Sequence, residues 1–211
     1  MHVLKIRCGI RENNSYVVVD PETTEGLIID APDEPDKILE NITGVKVKAI
    51  LITHTHADQL MGLDRLRSYT EAPVWVNIFD AMVFNYFTPT NSYRPEEAFH
   101  DGSTLAVGHL KLKAIHTPGH TPGASCYLIG NHLFSGDTLL ANGPGYTMNS
   151  EAYQQSIQSI VNKLFLLPDN TIVHPAQGED IRLGTSKEEY RAFHSQIRPT
   201  DLYGNVTWQI N

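Results

Sequence analysis

Two histidines and a carboxylate lie close together in residues 53–58 (Thr-His-Thr-His-Ala-Asp). One residue separates His54 from His56, so on a strand end or tight loop their imidazoles can point the same way and converge on one cation. Asp58 adds a third metal ligand or a general base. The pattern predicts a metal-dependent catalytic site. For this hexapeptide alone, a polar loop that carries two histidines by chance is the alternative.

A second and a third segment offer further ligands. Residues 116–123 (His-Thr-Pro-Gly-His-Thr-Pro-Gly) contain two Pro-Gly steps, which predict a stiff double turn. We expect His120 to bind metal and His116 to support the turn, while a tight turn with solvated histidines is the alternative. Residues 134–139 (Phe-Ser-Gly-Asp-Thr-Leu) place Asp137 at the end of an apolar strand. By itself, a Gly-Asp pair is more typical of an ordinary turn.

Short strands must position these groups, because each segment follows a strand-like run. Residues 47–53 form a continuous apolar run typical of a buried strand, and residues 110–115 and 132–134 precede the other two segments. The remaining predicted strands are residues 3–7, 15–20, 26–29, 74–77, 103–107, 125–129 and 171–173.

Helices are predicted at residues 35–40, 60–69, 79–87, 150–167 and 186–198, and residues 201–211 as a short strand-like tail. Ser150 is the predicted N-cap of the fourth helix, and Ser186 with Glu189 forms a predicted capping box for the fifth. The strands come in two groups, each followed by helices. This order favours an α/β fold, a four-layer αββα sandwich of two mixed β-sheets flanked by helices, as one domain over residues 1–211.

Composition narrows the class of protein. The chain has 211 residues, 41% of them apolar and 19% charged, with a net charge of −8. Scattered Lys and Arg in an acidic chain argue against a nucleic-acid partner. Apolar runs too short for a bilayer, and a first segment unlike a signal peptide, predict a soluble, cytoplasmic protein with no membrane partner. Cys8 and Cys126 are expected as buried free thiols. A homodimer is one assembly that the sequence allows.

The three segments together resemble, in the same order, the metal motifs of the metallo-β-lactamase superfamily, and most closely its small glyoxalase II-like branch. The resemblance runs from about residue 15 to residue 191. It implies the metallo-β-lactamase fold, with the site at one edge between the two sheets. It also implies that His54, His56 and His120 hold a first metal, that Asp137 bridges two metals and that Asp58 binds the second.

Two positions depart from the superfamily pattern. Gln59 stands where a histidine usually follows the aspartate, and Gln177 replaces the histidine of a Pro-Gly-His-Gly segment. A carboxamide oxygen is a poor zinc ligand, so we expect one tightly bound metal and a second site that is weak or empty. His174 could substitute only through a reshaped loop, and a satisfied strand-end histidine is the other interpretation. Zn²⁺ is the preferred ion, with Fe²⁺ or Mn²⁺ as alternatives.

The predicted activity is hydrolysis of a small-molecule thioester, ester or lactone by a metal-bound water. Asp58 would orient that water or accept its proton, and residues 79–99 would form the pocket wall. Two alternatives stay open. One is a mononuclear iron enzyme like the persulfide dioxygenases, using His54, His120 and Asp137. The other is a degenerate family member without catalysis. Tyr146, where these relatives commonly carry Arg, argues against a glutathione-type substrate.

Overall fold

Two six-stranded β-sheets form the centre of the computed structural model, which describes residues 1–81, 97–197 and 199–209. The strands are β1 (His2–Cys8), β2 (Asn13–Val19), β3 (Glu25–Ile29), β4 (Lys46–Leu51), β5 (Val74–Asn77), β6 (Glu97–Phe99), β7 (Thr104–Val107), β8 (Leu110–His116), β9 (Ser125–Ile129), β10 (His132–Gly136), β11 (Ile172–Pro175) and β12 (Ile181–Arg182). The helices are α1 (Pro35–Glu40), α2 (Leu63–Thr70), α3 (Ile78–Ala81), α4 (Ser150–Ser159) and α5 (Leu183–His194).

Both sheets are mixed, as predicted. The first has the order β1-β2-β3-β4-β5-β6, antiparallel up to β3 and parallel from β3 onward. The second has the order β12-β11-β10-β9-β8-β7, in which only β10 and β11 pair in parallel among the described strands. The last three residues of β4 are all buried. They belong to the continuous apolar run of the sequence because a central strand is covered on both faces.

Three separate apolar clusters show how the layers stack. Ile50 belongs with Leu66 of α2 to a cluster on the outer face of the first sheet, whereas Leu51 lies in the cluster between the sheets. Phe134 shares that inter-sheet cluster, and its neighbour Leu133 lies in a third cluster under α5 and the α4 segment. Neighbouring residues fall in different clusters because successive side chains of a strand face opposite sides. The four-layer αββα arrangement is therefore confirmed.

Several predicted helix boundaries are wrong. Asn149, not Ser150, caps α4, because its side chain accepts a 2.8 Å hydrogen bond from the backbone N–H of Ala152. Helix α4 continues directly into a π-helical turn, Ile160–Leu164. Helix α2 begins at Leu63 because a 3-10 turn, Ala57–Gln59, precedes it.

The predicted capping box of the last helix is also wrong. Helix α5 begins at Leu183, directly after β12, so Ser186 and Glu189 lie inside it and Ser186 is fully buried. The described part of the tail, 199–209, contains no strand and makes one isolated bridge, between Thr147 and Gly204. Of the helix predicted at residues 79–87, α3 covers the start, and 82–87 lie outside the described residues.

Cys8 and Cys126 are both free and buried, as the sequence indicates. Within the described residues, no helix has the length and apolar character needed to cross a bilayer.

Hydrogen bonds join the two sheets at the edge where the chain leaves β4. The hydroxyl of Tyr127 donates to the carbonyl of Ile52 at 2.6 Å, and the backbone N–H of Ser125 donates to the carbonyl of Thr53 at 2.9 Å. The side chain of Asn77 donates to the hydroxyl of Ser125 at 3.0 Å. Residues 52 and 53, directly before His54, are therefore hydrogen-bonded to the second sheet while they continue the first.

Candidate metal centre

Three histidines from two loops meet at this edge of the sandwich. His54 and His56 follow β4, and His120 lies on the turn after β8. The ring centroids are 4.9 Å apart for His54 and His56, 4.6 Å for His54 and His120, and 4.5 Å for His56 and His120. The rings stand nearly perpendicular to one another, and their ligand nitrogens all lie within 4.8 Å of one another. One cation can contact all three nitrogens.

The turn that carries His120 is packed tightly against α4. Gly119 has a φ of +144°, and a Cβ there would lie 2.5 Å from Ser156 of the helix. Only glycine fits both this backbone conformation and this close approach. The stiff turn expected from the two Pro-Gly steps therefore has a specific contact that positions it.

In His54 and His120, a hydrogen bond at Nδ1 leaves Nε2 free to face a metal ion. Nδ1 of His54 lies 3.1 Å from the hydroxyl oxygen of Thr53, and Nδ1 of His120 lies 2.7 Å from the carbonyl oxygen of Tyr146. Because a carbonyl only accepts, Nδ1 of His120 must donate, which leaves a lone pair on Nε2. Both Nε2 atoms are buried and form no hydrogen bond with any described residue. Buried nitrogens of this kind fit a divalent cation, which would satisfy them.

The protein environment keeps the three imidazoles neutral. Burial lowers the pKa of His54 well below its usual value, and the neighbouring His120 and His56 lower it further. Burial likewise lowers the pKa of His56 and of His120. Only a neutral imidazole can bind a metal ion, so the site is ready to bind one at neutral pH.

Asp137 provides a carboxylate beside the histidines. It follows β10, and its Oδ2 atom lies 3.4 Å from Nε2 of His120 and 3.8 Å from Nε2 of His54. Burial raises the pKa of Asp137 to about 6, and the charge of Asp58 adds to this effect. Its Oδ1 atom is buried and accepts no hydrogen bond within the described part of the chain. Asp137 is therefore close enough to His54 and His120 to contact a cation that they bind.

Two further carboxylates support the histidines, and neither was predicted. Asp30 follows β3 and accepts hydrogen bonds from the hydroxyl of Thr53 at 2.9 and 3.0 Å and from its backbone N–H at 2.8 Å. Asp80 of α3 accepts from the backbone N–H of Thr55 at 3.1 Å and from the hydroxyl of Thr121 at 2.9 Å. Asp80 stands alone in an apolar stretch, and Asp30 opens an acidic, proline-containing turn, so neither shows a ligand-like spacing.

The residues expected at a second metal do not all line the same cavity, and two of them are engaged by Asn13. Asp58 lines the cavity at the centre, and its Oδ2 atom accepts a 3.1 Å hydrogen bond from the side chain of Asn13. Gln177 also lines the cavity, but its Nε2 atom donates to Oδ1 of Asn13 at 2.9 Å. Gln59 is fully buried and is not among the described residues that line the cavity.

His174 is engaged elsewhere. Its Nδ1 atom lies 2.8 Å from the carboxylate of Asp180, its Nε2 atom lies 2.8 Å from Nδ1 of His132, and its ring stacks on Phe134. With both nitrogens engaged, it matches the interpretation as a satisfied strand-end histidine. His116 stays on the turn, with Nε2 2.8 Å from the carbonyl oxygen of Pro122.

Two neighbouring cavities open at the centre. The first, of about 550 Å³, is lined by Arg11, His56, Ala57, Asp58, His120, Asp137, Leu140, Tyr146, Gln177 and Asn205. The second, of about 420 Å³, lies beyond His120 and is lined in part by Phe79 and Met148. Of the predicted wall at residues 79–99, Phe99 is buried between the sheets, and 82–96 lie outside the described residues.

Comparisons with known proteins agree with this geometry. Residues 8–176 match the family profile described as the metallo-beta-lactamase superfamily. The chain is 28% identical over 194 residues to the probable polyketide biosynthesis zinc-dependent hydrolase BaeB of Bacillus velezensis, covering 89% of this chain and 83% of the relative. It is 28% identical over 189 residues to the mitochondrial persulfide dioxygenase ETHE1 of Bos taurus, covering 87% and 70%. The crystal structure of ETHE1 from Myxococcus xanthus superimposes with a TM-score of 0.77 at 27% identity, covering 89% of this chain and 82% of that one.

Proposed function

The chain belongs to the metallo-beta-lactamase superfamily, and on that premise we propose that it is a glyoxalase II-like hydrolase of a thioester, ester or lactone. The reaction would use one tightly bound divalent cation, with Zn²⁺ as the preferred ion. The observation that carries the proposal is the convergence of the ligand nitrogens of His54, His56 and His120 within 4.8 Å, with Asp137 beside them. His56, His120 and Asp137 also line the 550 Å³ cavity. The similarity to a zinc-dependent hydrolase supports the reaction class.

The residues of the centre have distinct roles in the proposed reaction. His54, His56, His120 and Asp137 would hold the divalent cation, which would supply an acidified water and polarise the substrate carbonyl. His54 and His120 keep Nε2 available because Thr53 and Tyr146 engage Nδ1. Asp58 faces the same cavity, and the hydrogen bond from Asn13 is on Oδ2. Its Oδ1 atom is the acceptor for the proton that the water loses on attack.

The cavity walls suit a mainly apolar acyl group. Leu140 and Tyr146 line the same cavity as Asp58, and Tyr146 is about half exposed. Phe79 and Met148 continue this surface into the adjoining cavity, past His120. A polar centre beside apolar walls is the usual composition of a small-molecule site.

The test is hydrolysis of a panel of thioesters, esters and lactones by zinc-loaded protein, by chelator-stripped protein and by stripped protein after zinc is restored. We expect activity only with metal, and a loss of at least about 100-fold in His120→Ala. His100→Ala is the control, because it removes an exposed histidine that lines neither cavity, and it should retain most activity. Equal activity of His120→Ala and wild type would overturn the proposal.

A mononuclear iron oxygenase is the second candidate. The similarity to the persulfide dioxygenases of Bos taurus and Myxococcus xanthus favours it, and so does the position of Asp137 within 3.8 Å of both His54 and His120. Two histidines and one carboxylate are a typical iron(II) site. Oxygen consumption by iron-loaded protein with a persulfide substrate would identify this activity. Inactivity in both assays would instead indicate a metal-binding protein without catalysis.

A further inference from the structure

Asp58 is held by protein side chains at the position where a second cation is expected from the family resemblance. Its Oδ2 atom accepts a 3.1 Å hydrogen bond from Nδ2 of Asn13, whose Oδ1 atom accepts a 2.9 Å hydrogen bond from Nε2 of Gln177. We propose that this carboxamide chain, Gln177–Asn13–Asp58, replaces the second cation and makes the centre mononuclear, with Asn13 as the positioning residue. The proposal rests on the first metal of the proposed function.

Donor and acceptor chemistry fixes the direction of each hydrogen bond in the carboxamide chain. A carboxylate only accepts hydrogen bonds, so Asn13 must turn its amino group toward Asp58. Its carbonyl oxygen then faces Gln177, which must in turn donate an N–H. Nδ2 of Asn13 also donates to the backbone carbonyl of Asp58 at 3.2 Å. Both polar ends of this carboxamide are thus engaged, as a side chain that is only 3% exposed requires.

The backbone fixes Asn13 and Gln177 next to each other. Asn13 begins β2 and forms an antiparallel bridge with Gln177, and the backbone N–H of Asn14 donates to the carbonyl of Ala176 at 2.7 Å. The carboxamides of Asn13 and Gln177 are therefore brought together by an isolated backbone bridge between the two residues. Their contact does not depend on a bound ion.

The electrostatics at Asp58 oppose a second cation. The amino group of Asn13 presents the positive end of its dipole to Oδ2, and the guanidinium of Arg11 lies 3.8 Å from the same oxygen. A cation at this oxygen would meet both positive groups and would have to displace the Asn13 hydrogen bond. Arg11 is 68% exposed, so its charge is screened and the contact with Asn13 is the stronger barrier.

Asn13→Asp tests this inference through metal content. The substitution replaces a donor by a second carboxylate at Asp58, and a cation between the two would relieve their repulsion. After dialysis against a zinc buffer at pH 8, we expect one zinc per chain in wild type and about two in Asn13→Asp, measured by inductively coupled plasma mass spectrometry. Asn205→Asp is the matched control, since Asn205 lines the same cavity, and it should stay at one.

Circular dichroism and thermal unfolding establish that each variant is folded. Where Asn13→Asp does not fold, Asn13→Ala takes its place, because loss of the donor frees Asp58 and should admit a second, weaker zinc. Two zinc ions in wild type, an unchanged single zinc in the folded Asn13 variant, or an equal gain in Asn205→Asp would overturn the inference.

Metal content separates this inference from the proposed function. Wild type with two zinc ions and hydrolytic activity would contradict the carboxamide chain and leave the hydrolase intact. One zinc without hydrolysis would contradict the hydrolase and leave the carboxamide chain intact.

Discussion

The carboxylate of Asp80 accepts a 2.9 Å hydrogen bond from the hydroxyl of Thr121, the residue directly after His120. The same oxygen accepts from the backbone N–H of Thr55, between the other two histidines, and its second oxygen accepts from the N–H of Gly123 at 2.6 Å. One buried side chain thus joins the two loops that carry all three histidines. The distance between the loops is set by Asp80 before any ion binds.

Asp80→Asn should weaken metal binding by about 10- to 100-fold, as loss of a supporting hydrogen bond does in metal sites. An asparagine can accept on one oxygen only, and its amino group would face N–H and O–H donors. Competition with a chromophoric chelator measures the affinity. Asp36→Asn, which removes an exposed carboxylate paired with Arg65, is the control and should bind metal as wild type does.

The ligand histidines could be placed together from sequence because each follows a strand. His54 and His56 come after β4 and His120 after β8, and strand ends of packed sheets meet at a common edge. Asp30 and Asp80 could not be predicted in this way. Their partners Thr53 and Thr121 lie 23 and 41 residues away. Neither the acidic turn that begins at Asp30 nor the apolar stretch around Asp80 has a spacing that indicates this role.

Local patterns failed where tertiary contacts decide the outcome. Ser186 and Glu189 have capping-box spacing, but β12 leads directly into α5 and places both inside the helix. The contact of Gln177 with Asn13 spans 164 residues. Sequence reasoning could identify Gln177 as a departure from the family, but not the residue that it binds.

Thr53 links His54 to Asp30, and we expect its hydroxyl to be needed for tight metal binding. With Nε2 of His54 directed at the metal, Nδ1 donates to the Thr53 oxygen, whose own proton goes to Asp30. Thr53→Val keeps the shape and removes the hydroxyl, so metal affinity should fall about 10-fold or more. Thr53→Ser keeps the hydroxyl and should stay within a few-fold of wild type. Equal affinities of the two variants would contradict this link.

Gly136 should not tolerate a side chain, because a Cβ there would lie 2.6 Å from the Thr53 hydroxyl oxygen. Gly136→Ala should lower the free energy of unfolding by about 1–3 kcal/mol beyond the effect of the backbone alone, and it should weaken metal binding by displacing Thr53.

Gly130→Ala is the matched control for that substitution. Gly130 precedes β10 and has a φ of +59°, close to the +54° of Gly136, but a Cβ there meets no atom within 4 Å. Gly130→Ala should therefore show only the backbone penalty, about 1–2 kcal/mol, with unchanged metal affinity. Denaturant unfolding of both variants measures the difference, and equal losses would refute the contact.

Asp137 should make the metal-free protein less stable as pH rises. Burial raises its pKa to about 6 from the model-peptide value of 3.8. A group whose pKa is raised by folding contributes its full stability below the unfolded pKa and loses it as pH rises through the folded pKa. Asp137→Asn removes the charge, so it should stabilise the metal-free chain by about 1 kcal/mol more at pH 8 than at pH 5.

The histidines have the opposite effect on how stability changes with pH, so wild type and Asp137→Asn must be compared at each pH. The lowered pKa of the histidines destabilises the metal-free fold as pH falls below 6.5. Wild type and Asp137→Asn share the histidines, so the difference between the two proteins reports on Asp137 and its charge interaction with His56. Thermal unfolding at both pH values, with chelator present, measures it. With saturating zinc the sign should reverse, because the charged carboxylate then binds the cation and wild type becomes the more stable protein. A stabilisation by Asp137→Asn that is equal at pH 5 and pH 8, or that persists with zinc, would show that Asp137 is not a metal-facing carboxylate.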